Sequence, residues 1–193
     1  MKTRQLAPSG QVRIIGGKWR NTRLSVPSVD GLRPSSDRMR ETLFNWLQPV
    51  LPGAVVVDAF AGTGALGLEA LSRGAASVVM IERDSGLHAN LKTVLGKLQG
   101  SEAAKLLLGD ALQCLTRQSP AAFDLAFIDP PFAAGLWSQL WPLLDVCLKL
   151  DAWLYVESPP DAADAVPPSH WQLHREMSTK DACGRLYRRT GAS

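Results

Sequence analysis

The sequence is poor in cysteine and has no long apolar run. Its three cysteines, Cys114, Cys147 and Cys183, lie far apart and show no C-x-x-C spacing, which argues against a disulfide framework or a metal site and predicts buried free thiols. No stretch of about 18 uncharged apolar residues is present that would span a bilayer. The N-terminal segment MKTRQLAPSGQ lacks the apolar core of a signal peptide, so we expect a cytosolic protein.

The net charge of +3 conceals an uneven distribution of charge along the 193 residues. Residues 1–40 carry nine Lys or Arg and two acids, a local net charge of +7, whereas residues 41–174 carry seven basic and fourteen acidic residues, a net charge of −7. The remaining residues return to +3. Basic ends around an acidic body are expected if the ends contact a polyanion. A solvated basic arm without a partner is the alternative.

The N-terminal third predicts a hairpin followed by a helix. Two short β-prone pieces, Val12–Ile15 and Leu24–Val26, are separated by a Gly-Gly pair and a basic stretch, as in a β-hairpin. A helix is predicted to begin after Ser35 or Ser36, either of which suits an N-cap. The apolar face of this helix comprises Met39, Leu43, Trp46 and Leu47.

From residue 54 onward, short apolar runs alternate with helical patterns. The predicted strands are VVVDAF, SVVMIE, AKLLLGDA, LAFIDPPF and LYVE, followed by WQLHREMS and GRLYRR as a closing antiparallel pair. This succession predicts an α/β fold with a mostly parallel seven-stranded sheet and helices on both faces. We assign residues 34–193 to one compact domain and residues 1–33 to a basic N-terminal extension.

The first chemical motif, DAFAGTGALG at residues 58–67, lies where a strand gives way to a helix. Gly62, Gly64 and Gly67 satisfy G-x-G-x-x-G, a pattern that dinucleotide-binding folds also use. In those folds the turn holds a pyrophosphate, and Asp58 would add unfavourable negative potential beside it. Asp58 instead favours a cofactor with a cationic ammonium and sulfonium, namely S-adenosylmethionine. The glycines permit the backbone to approach such a ligand closely.

Acidic residues also end the next two predicted strands. The Glu82 carboxylate is placed to accept hydrogen bonds from both hydroxyls of a ribose, although a nicotinamide cofactor would use it in the same way. Asp110, before Ala111, is placed to accept from an adenine amino group, and a helix N-cap is an equally good interpretation. Because ligands bind at the carboxyl edge of such sheets, we interpret the strand-end acids as one site.

The second chemical motif is Asp129-Pro130-Pro131-Phe132, at the end of the fourth predicted strand of the sheet. Each proline restricts the residue before it to extended conformations and lacks an N–H, so the tetrapeptide is stiff and presents acceptors. The Asp129 carboxylate and a nearby carbonyl suit the two hydrogens of a planar exocyclic amine, and Phe132 suits stacking on its ring. A strand-ending turn with Asp129 as a local cap and Phe132 in the core is the alternative.

These motifs resemble the class I S-adenosylmethionine-dependent methyltransferases, and DPPF resembles the D/N-P-P-F/Y/W motif of amine-methylating members. RIIGGKWRNTRL, GLRPSSDRMRETLFNWL and DAFAGTGALGLEALSRGA further resemble the bacterial 16S ribosomal RNA guanine-N2 methyltransferase family. The likeness continues through VESPP and LHRE to RLYRR. The segment Arg33–Arg38 resembles the family's RPT-x-DR signature, except that Ser35 stands where threonine is usual; serine retains the hydroxyl.

The resemblance implies a Rossmann-like class I methyltransferase fold and methyl transfer from S-adenosylmethionine to N2 of one guanine in 16S rRNA. The implied partner is the assembling or assembled 30S subunit, and the implied enzyme is a monomer that uses no metal. Cofactor binding is implied for Asp58, Phe60, Gly62, Gly64, Glu82, Asp110 and Ala111. Recognition of the target base is implied for Asp129, Pro130, Pro131 and Phe132.

The basic N-terminal region supplies the predicted RNA-binding residues. They are Arg13, Lys18, Arg20, Arg23, Arg33, Arg38 and Arg40. Each neutralised phosphate steepens the salt dependence of binding. Arg38 and Arg40 have an alternative role in ion pairs with Asp37 or Glu41. The target guanine must be unstacked to reach the DPPF motif.

Three other functions fit parts of the pattern. A DNA adenine-N6 methyltransferase would use the same chemistry, but the chain has little spare length for a target-recognition region. An NAD-dependent reductase is disfavoured by Asp58 and by the lack of an evident Tyr-Lys or His-Asp pair for hydride transfer. A purely RNA-binding module would not need an acidic, glycine-lined edge.

Overall fold

In the computed structural model, residues 8–27, 37–131 and 135–190 are described. The strands in these ranges are β1 (Pro8–Arg13), β2 (Arg23–Pro27), β3 (Val55–Asp58), β4 (Ser77–Glu82), β5 (Ala104–Leu108), β6 (Phe123–Ile128), β7 (Leu148–Ser158), β8 (Trp171–Ser178) and β9 (Cys183–Arg189). The α-helices are α1 (Asp37–Leu47), α2 (Ala65–Ser72), α3 (Ser85–Leu95), α4 (Ala111–Leu115) and α5 (Trp137–Cys147).

The main sheet has seven strands in the order β5-β4-β3-β6-β7-β9-β8. The pairs from β5 to β7 are parallel, and β9 runs antiparallel to both β7 and β8. This arrangement confirms the predicted α/β fold, including the closing antiparallel pair. It also shows that β9 lies between β7 and β8. The direction of strand progression reverses between β3 and β6. In open α/β sheets, ligands bind at such a switch point, beside the carboxyl ends of the strands.

Helices cover both faces of this sheet. Apolar side chains of α1, α2 and α3 pack in one core, and those of α4 and α5 pack in a second core on the other face. In β6, Leu125, Ala126, Phe127 and Ile128 are all at most 1% exposed, as expected for a parallel strand buried on both sides. The three cysteines are buried free thiols, as predicted. No helix in the described ranges is long and apolar enough to cross a membrane.

The predicted N-terminal hairpin is present as an antiparallel pair of β1 and β2. Val12 lies opposite Leu24, and both side chains are buried in the same apolar core as β3 and α2. The hairpin therefore shares a core with the sheet instead of projecting from it as a free arm. The boundary predicted between residues 33 and 34 lies outside the described residues.

The connection between β1 and β2 packs against the carboxyl end of α2. Gly17 has a φ of +73°, and a Cβ at this position would lie 1.8 Å from the Ser72 carbonyl oxygen, so only glycine fits. The Ser72 hydroxyl accepts from the Trp19 N–H at 2.9 Å and donates to the Gly16 carbonyl at 2.6 Å. The Trp19 indole N–H donates to the Gln99 carbonyl at 3.0 Å.

Glu69 of α2 is the buried polar centre of this contact. Its carboxylate accepts the backbone N–H groups of Ile15 at 2.7 Å and Gly16 at 2.8 Å, and the Arg73 Nε–H at 2.6 Å. Both oxygens are thus satisfied by the hairpin and by the helix itself. A buried carboxylate needs such partners because its desolvation is otherwise very costly.

Arg40 of α1 belongs to the same buried cluster. Its Nη2 donates to the Asp37 carboxylate at 2.6 Å and to the Arg13 carbonyl at 2.9 Å, and its Nη1 lies 3.9 Å from Glu69. The Arg40 residue is only 1% exposed. The prediction that Arg40 contacts RNA is therefore wrong, and the alternative role, an ion pair with Asp37, is the one observed.

We expect Glu69→Ala to reduce the free energy of unfolding by about 3–5 kcal/mol. The substitution leaves the Arg40 guanidinium buried without this counter-charge and removes the acceptor for two hairpin N–H groups. Urea denaturation followed by circular dichroism measures the loss. Glu41→Ala, at an exposed position on α1, is the control and should change the value by no more than about 0.5 kcal/mol. A loss below about 1 kcal/mol for Glu69→Ala would contradict the assignment.

Candidate active site

The strand-end acids lie along one edge of the sheet. Asp58 is the last residue of β3, Glu82 is the last residue of β4, and Asp129 directly follows β6. These three strands are adjacent and parallel, so their carboxyl ends meet at the switch point. Asp110 follows the neighbouring strand β5. The candidate site is therefore this edge.

Glu82 is buried and held by two backbone donors. Its Oε2 accepts from the Gly62 N–H at 2.8 Å, and its Oε1 accepts from the Asp84 N–H at 2.7 Å. Asp84 in turn caps α3 by accepting from the Gly86 and Leu87 N–H groups. These bonds fix the direction of the Glu82 carboxylate, and the second lone pair on each oxygen can serve another donor.

Asp58 is buried and faces the start of α2. Its Oδ2 accepts from the Gly67 N–H at 2.9 Å. Burial raises the pKa of Asp58 to about 7, the Gly67 N–H opposes that rise, and the nearby Glu82 charge adds to it. No basic side chain of the described residues is among the causes of this shift. A positively charged ligand would stabilise the ionised form.

The glycine-rich turn is tightly packed by the chain itself. Gly64 has a φ of +77°, and a Cβ there would lie 2.3 Å from Cδ2 of Leu91. At Gly67 a Cβ would lie 2.8 Å from the Met80 side chain and 3.1 Å from the Asp58 carboxylate. These two glycines therefore allow the turn and α2 to pack on the sheet and bring the Gly67 N–H to Asp58.

Asp110 adopts the capping role that the sequence left open. Its side chain accepts from the Gln113 N–H at 3.1 Å at the start of α4, and the following residue, Ala111, is buried. Phe60 is half-buried and packs against the apolar core on the α4 and α5 face. Phe60 and Asp110 both lie close to the carboxyl edge of the sheet, because each is two residues beyond the end of a strand.

Asp129 is half-buried, and its ionisation is strongly disfavoured. Burial of its carboxyl, and then the charges of Glu157 and Asp58, raise the pKa of Asp129 well above its usual range. Pro130 is buried and Pro131 is exposed, so the turn is anchored on one side only. Phe132 lies outside the described residues. The alternative that Asp129 is a local cap has no supporting hydrogen bond among the described residues.

Glu157 and Tyr155 belong to this edge although they were not among the predicted site residues. Glu157 is 5% exposed near the end of β7 and accepts from the Tyr155 hydroxyl at 3.0 Å. The rule that selected Asp58, Glu82 and Asp129, an acid at the carboxyl end of a predicted strand, also applies to the strand LYVE. That signal was present in the sequence and would have identified Glu157.

The predicted RNA-binding residues have different surroundings. Arg13, Lys18, Arg20, Arg23 and Arg38 are exposed. The Lys18 ammonium donates to the Gly100 carbonyl at 2.9 Å and lies 4.4 Å from the centre of the Trp19 ring. Arg33 lies outside the described residues.

Neither a surface cleft nor a group of metal-binding side chains gives a second candidate site near the strand-end acids in the described ranges. A surface cleft of about 490 Å³, lined by Leu150, Asp151, Gln172, Leu173, His174, Arg188, Arg189 and Thr190, lies at the opposite end of β7 from Glu157. It is therefore remote from the strand-end acids. In the described ranges, no group of His, Cys, Asp and Glu is arranged to hold a metal ion.

The chain is similar to known proteins over most of its length. Residues 12–188 match the family model described as Conserved hypothetical protein 95. The ribosomal RNA small subunit methyltransferase D of Escherichia coli is 44% identical over 98% of this chain and 96% of its own length, and that of Haemophilus influenzae is 42% identical over 92% and 94%.

Solved structures from the same two species superpose on most of the chain. An Escherichia coli protein has a TM-score of 0.85 with 44% identity, covering 95% of this chain and 100% of its own. A Haemophilus influenzae protein has a TM-score of 0.78 with 39% identity, covering 94% and 99%. The fold, the acidic carboxyl edge and the near-complete coverage lead to one conclusion: the chain belongs to the ribosomal RNA small subunit methyltransferase D family of Rossmann-like class I methyltransferases.

Proposed function

We propose that this chain transfers a methyl group from S-adenosylmethionine to the exocyclic N2 of one guanine in 16S rRNA. The observation that carries the proposal is the concentration of buried carboxyl groups at the switch point. Burial and the Glu82 charge raise the pKa of Asp58, and burial with the charges of Glu157 and Asp58 raises the pKa of Asp129. Relatives that cover nearly the whole chain are named small-subunit rRNA methyltransferases. The proposed substrate is the assembling or assembled 30S subunit in the bacterial cytoplasm, and the proposed enzyme is a monomer.

The residues at this edge fit the cofactor. Asp58 is buried close to a second carboxylate, so the ammonium of an amino acid moiety would relieve its unfavourable charge. Glu82 is oriented by backbone N–H groups and retains lone pairs for ribose hydroxyls. Asp110 and Ala111 would adjoin the adenine, with Phe60 and the turn at Gly62 and Gly64 lining the site. When bound, the cofactor supplies an electrophilic methyl group on a sulfonium.

The DPPF motif would orient the target amine. Once ionised, the Asp129 carboxylate would accept one hydrogen of the guanine amine and a backbone carbonyl the other, while Phe132 would stack on the base. The amine lone pair is delocalised into the ring, so the amine is a weak nucleophile. Fixed acceptors increase its reactivity by orienting it and by stabilising the positive charge that it gains. The proline pair limits motion of these acceptors.

The hairpin would contact the rRNA backbone. Arg13 and Arg23 are exposed and directly opposite each other in the β1–β2 pair. Like charges in this position destabilise a hairpin, and a bound phosphate would remove the repulsion. Lys18 and Arg20 lie near the carboxyl end of α2, about 12 Å from its amino end at the candidate site. Contacts there require an RNA footprint that extends well beyond the target base.

Labelled methyl transfer to small subunits that lack the modification tests the proposed function. We expect label in 16S rRNA, and nucleoside mass spectrometry should identify the product as N2-methylguanosine. N6-methyladenosine, label in DNA, or no product in any nucleic acid would contradict the proposal.

The Asp129→Ala variant, measured in the same assay, tests the proposed role of Asp129. It should lower kcat by about 100-fold or more, since it removes a preorganised acceptor at the reacting amine. Cofactor affinity measured by calorimetry should stay within about threefold, because the cofactor is proposed to contact Asp58 and Glu82 instead.

The affinity for S-adenosylmethionine should depend on pH through Asp58. The pKa of Asp58 is raised to about 7, and only the ionised form attracts an ammonium, so affinity should rise about five- to tenfold between about pH 6.0 and 7.5. Calorimetry at several pH values, in buffers with different ionisation enthalpies, should also detect proton release below pH 7. Asp58→Asn should bind more weakly and without this dependence. A flat profile for the unmodified protein would exclude Asp58 as the ammonium partner.

Neutralising the opposed arginines should weaken binding to the small subunit. In the double variant Arg13→Gln, Arg23→Gln, we expect the slope of log K against log salt to become shallower by about 1.4–1.8, because each phosphate contact contributes about 0.7–0.9. Filter binding over a salt series measures the slope. The control, Lys105→Gln with Arg117→Gln, removes the same charge from exposed positions elsewhere and should leave the slope unchanged. Equal slopes for both double variants would remove the hairpin from the interface.

A further inference from the structure

Glu157 lies next to Asp129 on the same face of the sheet. β6 and β7 are parallel neighbours in which Phe127 pairs with Tyr155 and Ile128 pairs with Val156. Continuing this register by one residue brings Asp129 beside Glu157, with both side chains on the face that carries Tyr155. The influence of the Glu157 charge on Asp129 agrees with this placement.

The surrounding strands hold Glu157 in one position. The Tyr155 hydroxyl donates to Glu157 Oε2 at 3.0 Å, and the Tyr155 ring packs edge-on against Phe127, with 6.3 Å between ring centres. Gly184 of β9 pairs with Glu157, and a Cβ at Gly184 would lie 2.5 Å from the Tyr155 hydroxyl oxygen. The absence of a side chain at Gly184 therefore makes the space in which the hydroxyl reaches Glu157.

The charged and titratable groups around Asp129 are almost all acidic. In the described ranges, Asp58 faces it from β3 and Glu157 from β7, with the Tyr155 phenol beside them and the Cys183 thiol of β9 acting on that phenol. Burial, followed by the Glu157 charge, raises the pKa of Tyr155 well above its usual range. The phenol therefore stays a hydrogen-bond donor. Because these acidic groups are buried together, a charge on one of them disfavours ionisation of the others.

We propose that Glu157, oriented by Tyr155, is a positioning residue for methyl transfer that acts through Asp129. This inference rests on the proposed function. As the guanine nitrogen forms its bond to the methyl carbon, the carbon–sulfur bond breaks and its electron pair remains on sulfur. The nitrogen gains positive charge and then releases one proton to the Asp129–Glu157 pair. The Glu157 charge stabilises the nitrogen as it becomes positive and, together with burial and Asp58, raises the pH at which Asp129 ionises.

The test compares Glu157→Gln with the unmodified enzyme in the methyl-transfer assay. Glutamine keeps the shape and the acceptor for the Tyr155 hydroxyl but removes the charge. We expect kcat to fall about tenfold or more, while the KM and Kd for S-adenosylmethionine stay within about threefold. The acidic limb of the kcat–pH profile should also move to lower pH. The sign follows from the loss of a neighbouring negative charge, which lets Asp129 ionise at lower pH.

A matched control and a second variant complete the experiment. Asp151→Asn makes the same carboxylate-to-amide change at an exposed position near the other end of β7 and should alter neither kcat nor the pH profile. Tyr155→Phe keeps the ring packing and removes only the hydroxyl, so it should shift both quantities in the same direction by a smaller amount. If Glu157→Gln does not fold, as judged by thermal melting, Tyr155→Phe decides the outcome by the same criteria.

An unchanged kcat, an unmoved acidic limb, or a loss confined to KM would overturn the role of Glu157. The failure of this inference is distinguishable from failure of the proposed function. If the unmodified enzyme methylates guanine and Glu157→Gln is equally active, only the positioning role is lost. If the unmodified enzyme yields no methylated guanine, the proposed function itself fails.

Discussion

Several buried carboxyl groups lie close together at one edge of the sheet, and their ionisation costs free energy unless a cation lies nearby. Asp58, Asp129 and Glu157 come from three adjacent strands of the sheet. Burial and the Glu82 charge disfavour ionisation of Asp58, and burial with the charges of Glu157 and Asp58 disfavours ionisation of Asp129. An interior arranged only for stability would replace such groups with apolar side chains. Under the proposed function, a positively charged ligand and a developing positive charge at the switch point would offset this cost to the folded state.

The rest of the fold keeps this edge rigid. Asp58 is tied to α2 through the Gly67 N–H, and Glu82 is tied to the glycine-rich turn and to the start of α3. At the other end of α2, Glu69 binds the N-terminal hairpin. One short helix thus connects the candidate cofactor site to the basic hairpin, and each end is fixed by a buried carboxylate that accepts backbone N–H groups.

Much of this architecture was predictable because local patterns agreed with the tertiary fold. The alternation of strands and helices gave the parallel sheet, and acids after Val57, Ile81 and Ile128 marked its carboxyl edge. The sequence left two roles open for Arg40, because an arginine on a helix is usually exposed and its burial depends on long-range contacts with the hairpin and α2. The position of β9 between β7 and β8 was also not predictable from the sequence, since the pairing partners of antiparallel strands depend on long-range contacts.

The opposite charges of the hairpin and the edge impose a condition on RNA binding. The acidic edge repels phosphates, so a duplex backbone lying directly over Asp129 would be unfavourable, whereas a neutral base extended away from its backbone would not. Under the proposed function, the exposed Arg13 and Arg23 would attract the backbone to the hairpin. The guanine of the proposed function would satisfy both requirements if it were flipped or already unpaired, because its phosphates would remain near the basic hairpin while only the uncharged base entered the acidic site. The separation of charge along the sequence thus favours a single-stranded target within a structured RNA.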